Sequence, residues 1–375
     1  MMLRSKSKNA TGPIEQGHKK RQIGQFEPVK NVMEPLAKKA PLKKVQEISE
    51  KISDFTIDSV KRGTKTSGKE NNANHQEVTQ AAEIDPCPNY DYDKEEAGNP
   101  DSVSTYANEI FKYYKAREVE FRVRNYMKQN PELDVKSRAI LVDWLVELQE
   151  TFELNHETLY NAVKLLDTYL SRSKNVTKDD LQLIACGAIF LASKFDERSP
   201  PLVDDLIYMG GDRFDRNALI NMELKLFSTV GYDLGAPLSY RYLRRLGRVC
   251  RVDMATLTLA RYILESSLLV FDYSLISGCR VAAAAFLLAM KMKDRTYDWN
   301  PVLEKYSGFT GNEIYPLMNH LNHTMYYLNS KWKQLKNVRE KYSHEAFFEA
   351  AKVPLLPDIL GDKSTLLPLE PTAFP

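Results

Sequence analysis

Cysteine is scarce in this 375-residue chain: Cys87, Cys186, Cys250 and Cys279 are the four present, far apart and with no CxxC pair. That spacing excludes a zinc ribbon and disfavours a disulfide scaffold, so a reducing compartment is expected. No run of about 18 apolar residues exists to span a bilayer, and the N-terminus has no apolar signal core. A soluble, intracellular protein with no membrane partner is the expectation. Tryptophan is missing from residues 1–100, where Phe26 and Phe55 are the only phenylalanines. A stretch so rich in Lys, Asn, Gln, Glu, Ser and Pro cannot bury enough apolar surface to offset its ordering entropy. Residues 1–100 are therefore expected to form a disordered regulatory tail that works through short motifs. The tail also lacks Ser-Pro and Thr-Pro, so it gives no sign of kinase self-marking.

An excess of positive charge is missing where a folded nucleic-acid binder would carry it. Residues 1–70 hold 16 Lys and Arg against 8 Asp and Glu, and residues 71–100 hold 1 against 7. Residues 101–375 carry 35 of each sign and are neutral, which argues against direct contact with nucleic acid.

Helical patterning is plentiful. From Tyr106, "YANEIFKYYKAREVEF" reads as one N-terminal helix within residues 101–122, with Ile110, Tyr113 and Tyr114 on one side and Ser102 or Ser104 as cap. Further helical segments are expected at about 137–152, 156–171, 179–194, 202–209, 214–230, 237–248, 253–270, 278–292, 299–307, 310–329 and 330–340. Strand-like alternation is scarce, so the fold class is all-α. In "SRAILVDWLVE" (137–147), seven of eleven residues are Ala, Ile, Leu, Val or Trp, spread round most of a helical cylinder. Such a helix must be covered on nearly every side, by its own core or by a partner.

"IACGAIFLASKF" (184–195) and "VAAAAFLLAMKM" (281–292) align at an offset of 97 residues, with five of twelve positions identical. Both are made of small and apolar residues, which let neighbouring helices approach from all sides and suit the centre of a bundle. Two such helices at this spacing suggest one helical domain in two tandem copies.

These segments resemble the cyclin family. "SRAILVDWLVE" is similar to its first signature and "LQLIACGAIFLASKFDE" (181–197) to its second. "MELKLFSTVGYDLGAPLSYRYLRR" (222–245) is similar to the boundary between its two folds. The resemblance runs from about Tyr106 to about Tyr342 and is strongest to the B-type mitotic members, with the B-three subfamily ahead. It implies two tandem five-helix cyclin folds, at 123–235 and 236–342, behind the N-terminal helix. A tail follows at 343–375, whose five prolines in "VPLLPDILGDKSTLLPLEPTAFP" preclude a long helix; it would lie extended on the second fold or hang free.

What the resemblance implies for function is regulatory, with no catalytic residues and no cofactor. The chain would form a heterodimer with a mitotic-type cyclin-dependent kinase and hold its αC helix in the active position, controlling G2/M and mitotic progression. Of positions the family keeps, Arg138, Asp167, Leu183, Lys194 and Glu223 are present. Arg138 and Asp167 would pair inside the fold, while Lys194 and Glu223 would bond to the kinase backbone. Alone, Lys194 reads as a helix C-terminal cation favoured by the dipole and Glu223 as a solvated charge. Apolar kinase contacts would come from Ile110, Tyr113, Phe195, Phe227, Tyr232 and Leu234. Phe227 and Tyr232 stand where Leu and Phe are commoner, but both keep the required bulk.

The first signature helix would also form a groove for Arg-x-Leu motifs of substrates or inhibitors, walled by Ile140, Leu141, Trp144, Glu147, Leu181 and Gln182. Trp144 would be the platform and Glu147 the partner of the motif's arginine. Ser137 occupies the place of the family's Met, so the groove is expected to be weaker or altered in preference. In the tail, Lys69-Glu70-Asn71 matches a KEN degron for the anaphase-promoting ubiquitin ligase, and "KRQIGQFEP" (20–28) is a degenerate destruction box. The clusters Lys19-Lys20-Arg21 and Lys38-Lys39…Lys43-Lys44 suggest nuclear import, giving a nuclear protein that shuttles with the cytoplasm. His320 and His323 could share a helix face, but no third ligand accompanies them and no metal is expected. The competing reading is a tandem cyclin-fold transcription factor or a transcriptional-kinase cyclin; for the former, the neutral body and missing CxxC count against it.

Overall fold

In a computed structural model, residues 85–362 and 365–369 are described; the KEN and destruction-box segments and the basic clusters lie outside them. Among the described residues every regular element is helical and none is a strand. A short α1 (Tyr92–Glu95) precedes α2 (Ser104–Glu118). Five helices form the first repeat: α3 (Val135–Thr151), α4 (His156–Arg172), α5 (Leu181–Asp196), α6 (Val203–Met209) and α7 (Arg216–Thr229). Five more form the second: α8 (Ser239–Val249), α9 (Met254–Leu268), α10 (Gly278–Lys293), α11 (Pro301–Ser307) and α12 (Gly311–Ser330), with α13 (Asn337–Lys341) after them.

The repeat inferred from the two alanine-rich segments is now a repeat of position. α5 is packed by α3, α4 and α7, and α10 by α8, α9 and α12. Ala282, Ala283, Ala284 and Ala285 are all wholly buried, because side chains this small allow neighbours on each side of the helix. At Gly187 a Cβ would stand 3.1 Å from Met222 Cγ, so glycine sets the close crossing of α5 and α7. Polar caps start the helices where the sequence changes register. Asp134, Asp215 and Asp253 accept the third amide of α3, α7 and α9 at 2.7, 2.7 and 2.8 Å. A Thr310–Glu313 capping box opens α12.

Three expectations need correction. Residues 85–100, expected to be part of the disordered tail, are packed on the second repeat, anchored by Tyr90 and Tyr92. Tyr90 donates to the Val249 carbonyl at 2.7 Å, and the Tyr92 amide donates to the Tyr306 hydroxyl at 2.8 Å. Arg245 pairs with Asp93 at 2.5 Å while its guanidinium lies over the rings of Tyr92, Phe111 and Tyr306. Neither Ser102 nor Ser104 caps α2: Ser102 donates to the carbonyls of Glu96 and Asn99, and the cap position is Val103, at φ 48°. The helix expected at 330–340 shrinks to 337–341, since Trp332 and Leu335 are buried by a turn closed between them. Of the two placements expected for the C-terminal tail, the structure shows the first: it lies on the second repeat. Leu356 exchanges bonds with Asn322 at 3.0 and 3.2 Å, and its carbonyl also accepts from Tyr326.

Candidate partner-binding surfaces

Lys194 stands in the last turn of α5, and Glu223 in the middle of α7. Their side chains meet, with Nζ 2.8 and 2.9 Å from the two carboxylate oxygens. Expected to bond to a kinase backbone, the two thus also bond to each other. The pair stays accessible: the Lys194 side chain is 42% exposed and that of Glu223 13%. Lys194 Nζ also lies 3.9 Å from the Phe190 ring centroid, which steadies the ammonium. Lysine retains donors and the carboxylate acceptor sites beyond this pair, so both can still engage an incoming backbone.

Apolar side chains are exposed or half-buried on α2, at the end of α5 and at the end of α7. Phe195 is 56% exposed, Tyr232 67% and Tyr113 57%, while Ile110, Phe227 and Leu234 are half-buried. Phe227 and Tyr232 pack edge to face, with centroids 5.0 Å apart. That contact depends on a tight exit from α7. Gly231 and Tyr232 take φ of 82° and 64°, and the Tyr232 amide donates back to Phe227 at 3.0 Å. Two neighbours that sequence reasoning missed hold this turn. Arg117 of α2 donates to both Asp233 carboxylate oxygens at 2.8 and 2.6 Å and to the Gly235 carbonyl at 3.2 Å. Its guanidinium also faces the Tyr113 ring. A continuous series of contacts thus runs from Tyr113 through Arg117 and Asp233 to Tyr232 and Phe227, one turn from Glu223. Leu224, 61% exposed beside Glu223, widens the apolar surface.

The rest of α2 is wedged against the second repeat. Glu118 accepts the Ser277 hydroxyl at 2.9 Å and the Gly278 amide at the start of α10. Burial pushes the Glu118 carboxyl up despite these donors. Lys115 donates to the Ser307 carbonyl at 2.5 Å and lies over Phe309.

Arg138 and Asp167 pair as the resemblance implied, at 2.7 and 2.8 Å and with both side chains nearly unexposed. Tyr126 adds a bond to Asp167 at 2.8 Å, and the other Arg138 donor reaches Leu268 of the second repeat at 2.8 Å. Their role is structural. On the outer side of α3, Ile140 is 48% exposed, Trp144 half-buried and Glu147 exposed. Gln182 is half-buried and accepts from Arg213 at 3.3 Å. Leu141 and Leu181 are buried, so they can form only a floor beneath the other four. Leu183 is half-buried and packs against the core. Ser137 is engaged locally: its amide and hydroxyl both donate to Asp134, at 2.7 and 3.0 Å.

His320 and His323 are not arranged as metal ligands, and no group of three or more His, Cys, Asp or Glu able to hold a metal occurs among the described residues. His323 faces Asp358 at 2.8 Å and the Thr365 carbonyl at 2.9 Å. His320 faces Tyr273 at 2.7 Å and the Leu367 carbonyl at 3.1 Å, and burial lowers its pKa. Both fasten the C-terminal segment.

Residues 109–235 match the family model described as the cyclin N-terminal domain, and residues 237–356 that of the cyclin C-terminal domain. A G2/mitotic-specific cyclin-B3 of Caenorhabditis elegans is 57% identical over 385 residues, covering the whole of both chains. The protein of that name in Gallus gallus is 46% identical over 262 residues, or 70% of this chain and 64% of the relative. The one in Homo sapiens is 41% identical over 316 residues, taking in 83% of this chain but 22% of that much longer relative. Among solved structures, a viral cyclin from herpesvirus saimiri superposes with a TM-score of 0.51 at 24% identity, over 57% of this chain and 97% of its own, a likeness of fold.

Proposed function

The chain belongs to the cyclin family, on its B3-type mitotic branch, and we propose that it binds and activates a mitotic cyclin-dependent kinase as a non-catalytic subunit. The observation that carries this reading is the Lys194–Glu223 pair, preformed and accessible, with exposed Phe195 next to Lys194 in the chain and exposed Tyr232 and Tyr113 on the contact series that leads from Phe227. An apolar surface around a hydrogen-bonding centre suits a helix with a polar backbone end, as the kinase αC helix presents. Docking there would hold αC where its glutamate meets the catalytic lysine. Outward-facing Ile140, Trp144, Glu147 and Gln182 support a second, smaller role in picking substrates or inhibitors with Arg-x-Leu motifs, and Ser137 leaves that site without a flexible apolar wall. Destruction through Lys69-Glu70-Asn71 by the anaphase-promoting ubiquitin ligase, and nuclear import through the tail's basic clusters, complete the proposed cycle.

The test is protein-kinase activity after mixing the full chain with purified, otherwise inactive mitotic kinase. Activation is expected for the natural chain, and a loss of at least about tenfold for the Lys194→Ala, Glu223→Ala double variant, equivalent to about 1.4 kcal/mol of docking energy. Equal activation by both would refute the assignment of this face. No activation by either would favour a transcription-factor role.

A further inference from the structure

The chain contains one Ser-Pro pair and no Thr-Pro pair. It is Ser199-Pro200, within "DERSPPLV", in the connection from α5 to α6. Arg198, Ser199 and Pro200 are all exposed, and no peptide bond among the described residues is cis. Both ends of the connection are fixed. Glu197 accepts the Asn155 amide at 2.7 Å, its side-chain amide at 2.8 Å and the Thr158 hydroxyl. Leu202 leads into α6 from extended backbone, φ −74° and ψ 151°. Pro200 and Pro201 each disfavour helix in the residue before them, and the chain bends at Arg198 and Ser199, so Ser199 presents its hydroxyl from a non-helical, tethered arch. Such an arch can enter a peptide-binding cleft with no helix having to unfold.

We propose that Ser199 is a phosphoacceptor for a proline-directed protein kinase, and that the phosphate weakens docking of the activated kinase on the adjoining face. The second half rests on the kinase-activator reading of Lys194 and Glu223. In the transfer, Ser199 Oγ attacks the γ-phosphorus of ATP. The Oγ–P bond forms as the bond from that phosphorus to the β–γ bridging oxygen breaks; ADP departs and the hydroxyl proton passes to the kinase's base. The product carries about −1.5 to −2 charges at pH 7. It stands four residues from Phe195, whose exposed ring belongs to the docking surface. Negative charge is already concentrated here. Burial raises the pKa of Asp196, and Glu157 and Glu197 add to that effect, with Arg241 opposing. A phosphate beside an apolar contact must lose water on docking, and the carboxylates of Asp196, Glu197 and Glu157 repel it.

The experiment treats the full chain and its Ser199→Ala variant with a purified proline-directed kinase and ATP, locates phosphate by peptide mass mapping, then measures affinity for the mitotic kinase. Phosphate on the Ser199 peptide and an affinity about tenfold lower than before treatment are expected. Treated Ser199→Ala should bind as tightly as the untreated chain. Absence of phosphate at Ser199 in the folded chain overturns the acceptor site, and unchanged affinity of the phosphorylated chain overturns the weakening. If the untreated chain fails to bind kinase at all, the activator reading and the docking half fall together, while mass mapping still decides the acceptor site.

Discussion

Glu265 has no solvent exposure and three partners: Lys341 at 2.6 Å, Tyr342 at 2.8 Å and His156 at 3.5 Å. Lys341 also donates to Gln149 at 2.7 Å, so the cluster draws together α3, α4, α9 and α13. Burial alone would raise the Glu265 pKa, but Lys341 first, then His156, reverse that and hold it at about 2. Because the folded value lies below the unfolded one, the stabilisation is fully present above about pH 4.5 and disappears as pH falls toward 2. Glu265→Gln leaves Lys341 buried without its counter-charge and should cost about 3 kcal/mol at pH 7. Urea unfolding at a series of pH values should show a shallower acid limb for the variant; superimposable curves would contradict this. Single residues differed in how far the sequence disclosed them. Lys194 and Glu223 stood inside segments resembling known signatures and could be picked out. Arg117 and Asp233 could not, since they lie 116 positions apart and no periodicity links them.

α5 and α10 were legible as elements because their function in the fold is compositional: only small side chains let helices crowd them on all sides. The termini were harder. The segment from residue 85 looks polar, and its order comes from two tyrosines and long-range ion pairs that local pattern does not reveal. The C-terminal strap is similar. His323 and Asp358 are buried together, with side chains 0% and 1% exposed, and the second ring nitrogen donates to Thr365. His323→Ala should therefore release residues 353–362 and 365–369 before the helices open, leaving Asp358 without its partner. Limited proteolysis should cut this strap about tenfold faster in the variant, with the helical repeats intact. Equal cutting rates would mean that Asn322 and Tyr326 suffice to hold it.

Across the whole molecule, the two repeats and the helices that flank them are joined at several independent points. Arg138 of the first donates to Leu268 of the second, Glu118 and Lys115 brace α2 against α10 and α11, and Asp143 of α3 accepts the Asn337 amide at 3.2 Å. Burial raises the Asp143 carboxyl to about 6, even with the amides of Asn337, Lys336 and Val338 pointed at it. A frame fixed in this way presents the surface around Lys194 already assembled, so little ordering remains to oppose docking. The most direct measurement is amide hydrogen exchange of the full chain with and without bound mitotic kinase. Slower exchange is predicted in the last turns of α2 and α5, in the second half of α7 and in residues 231–235, with little change along the outer side of α3. Slowing confined to α3, or spread evenly over both repeats, would contradict the assignment of the kinase face.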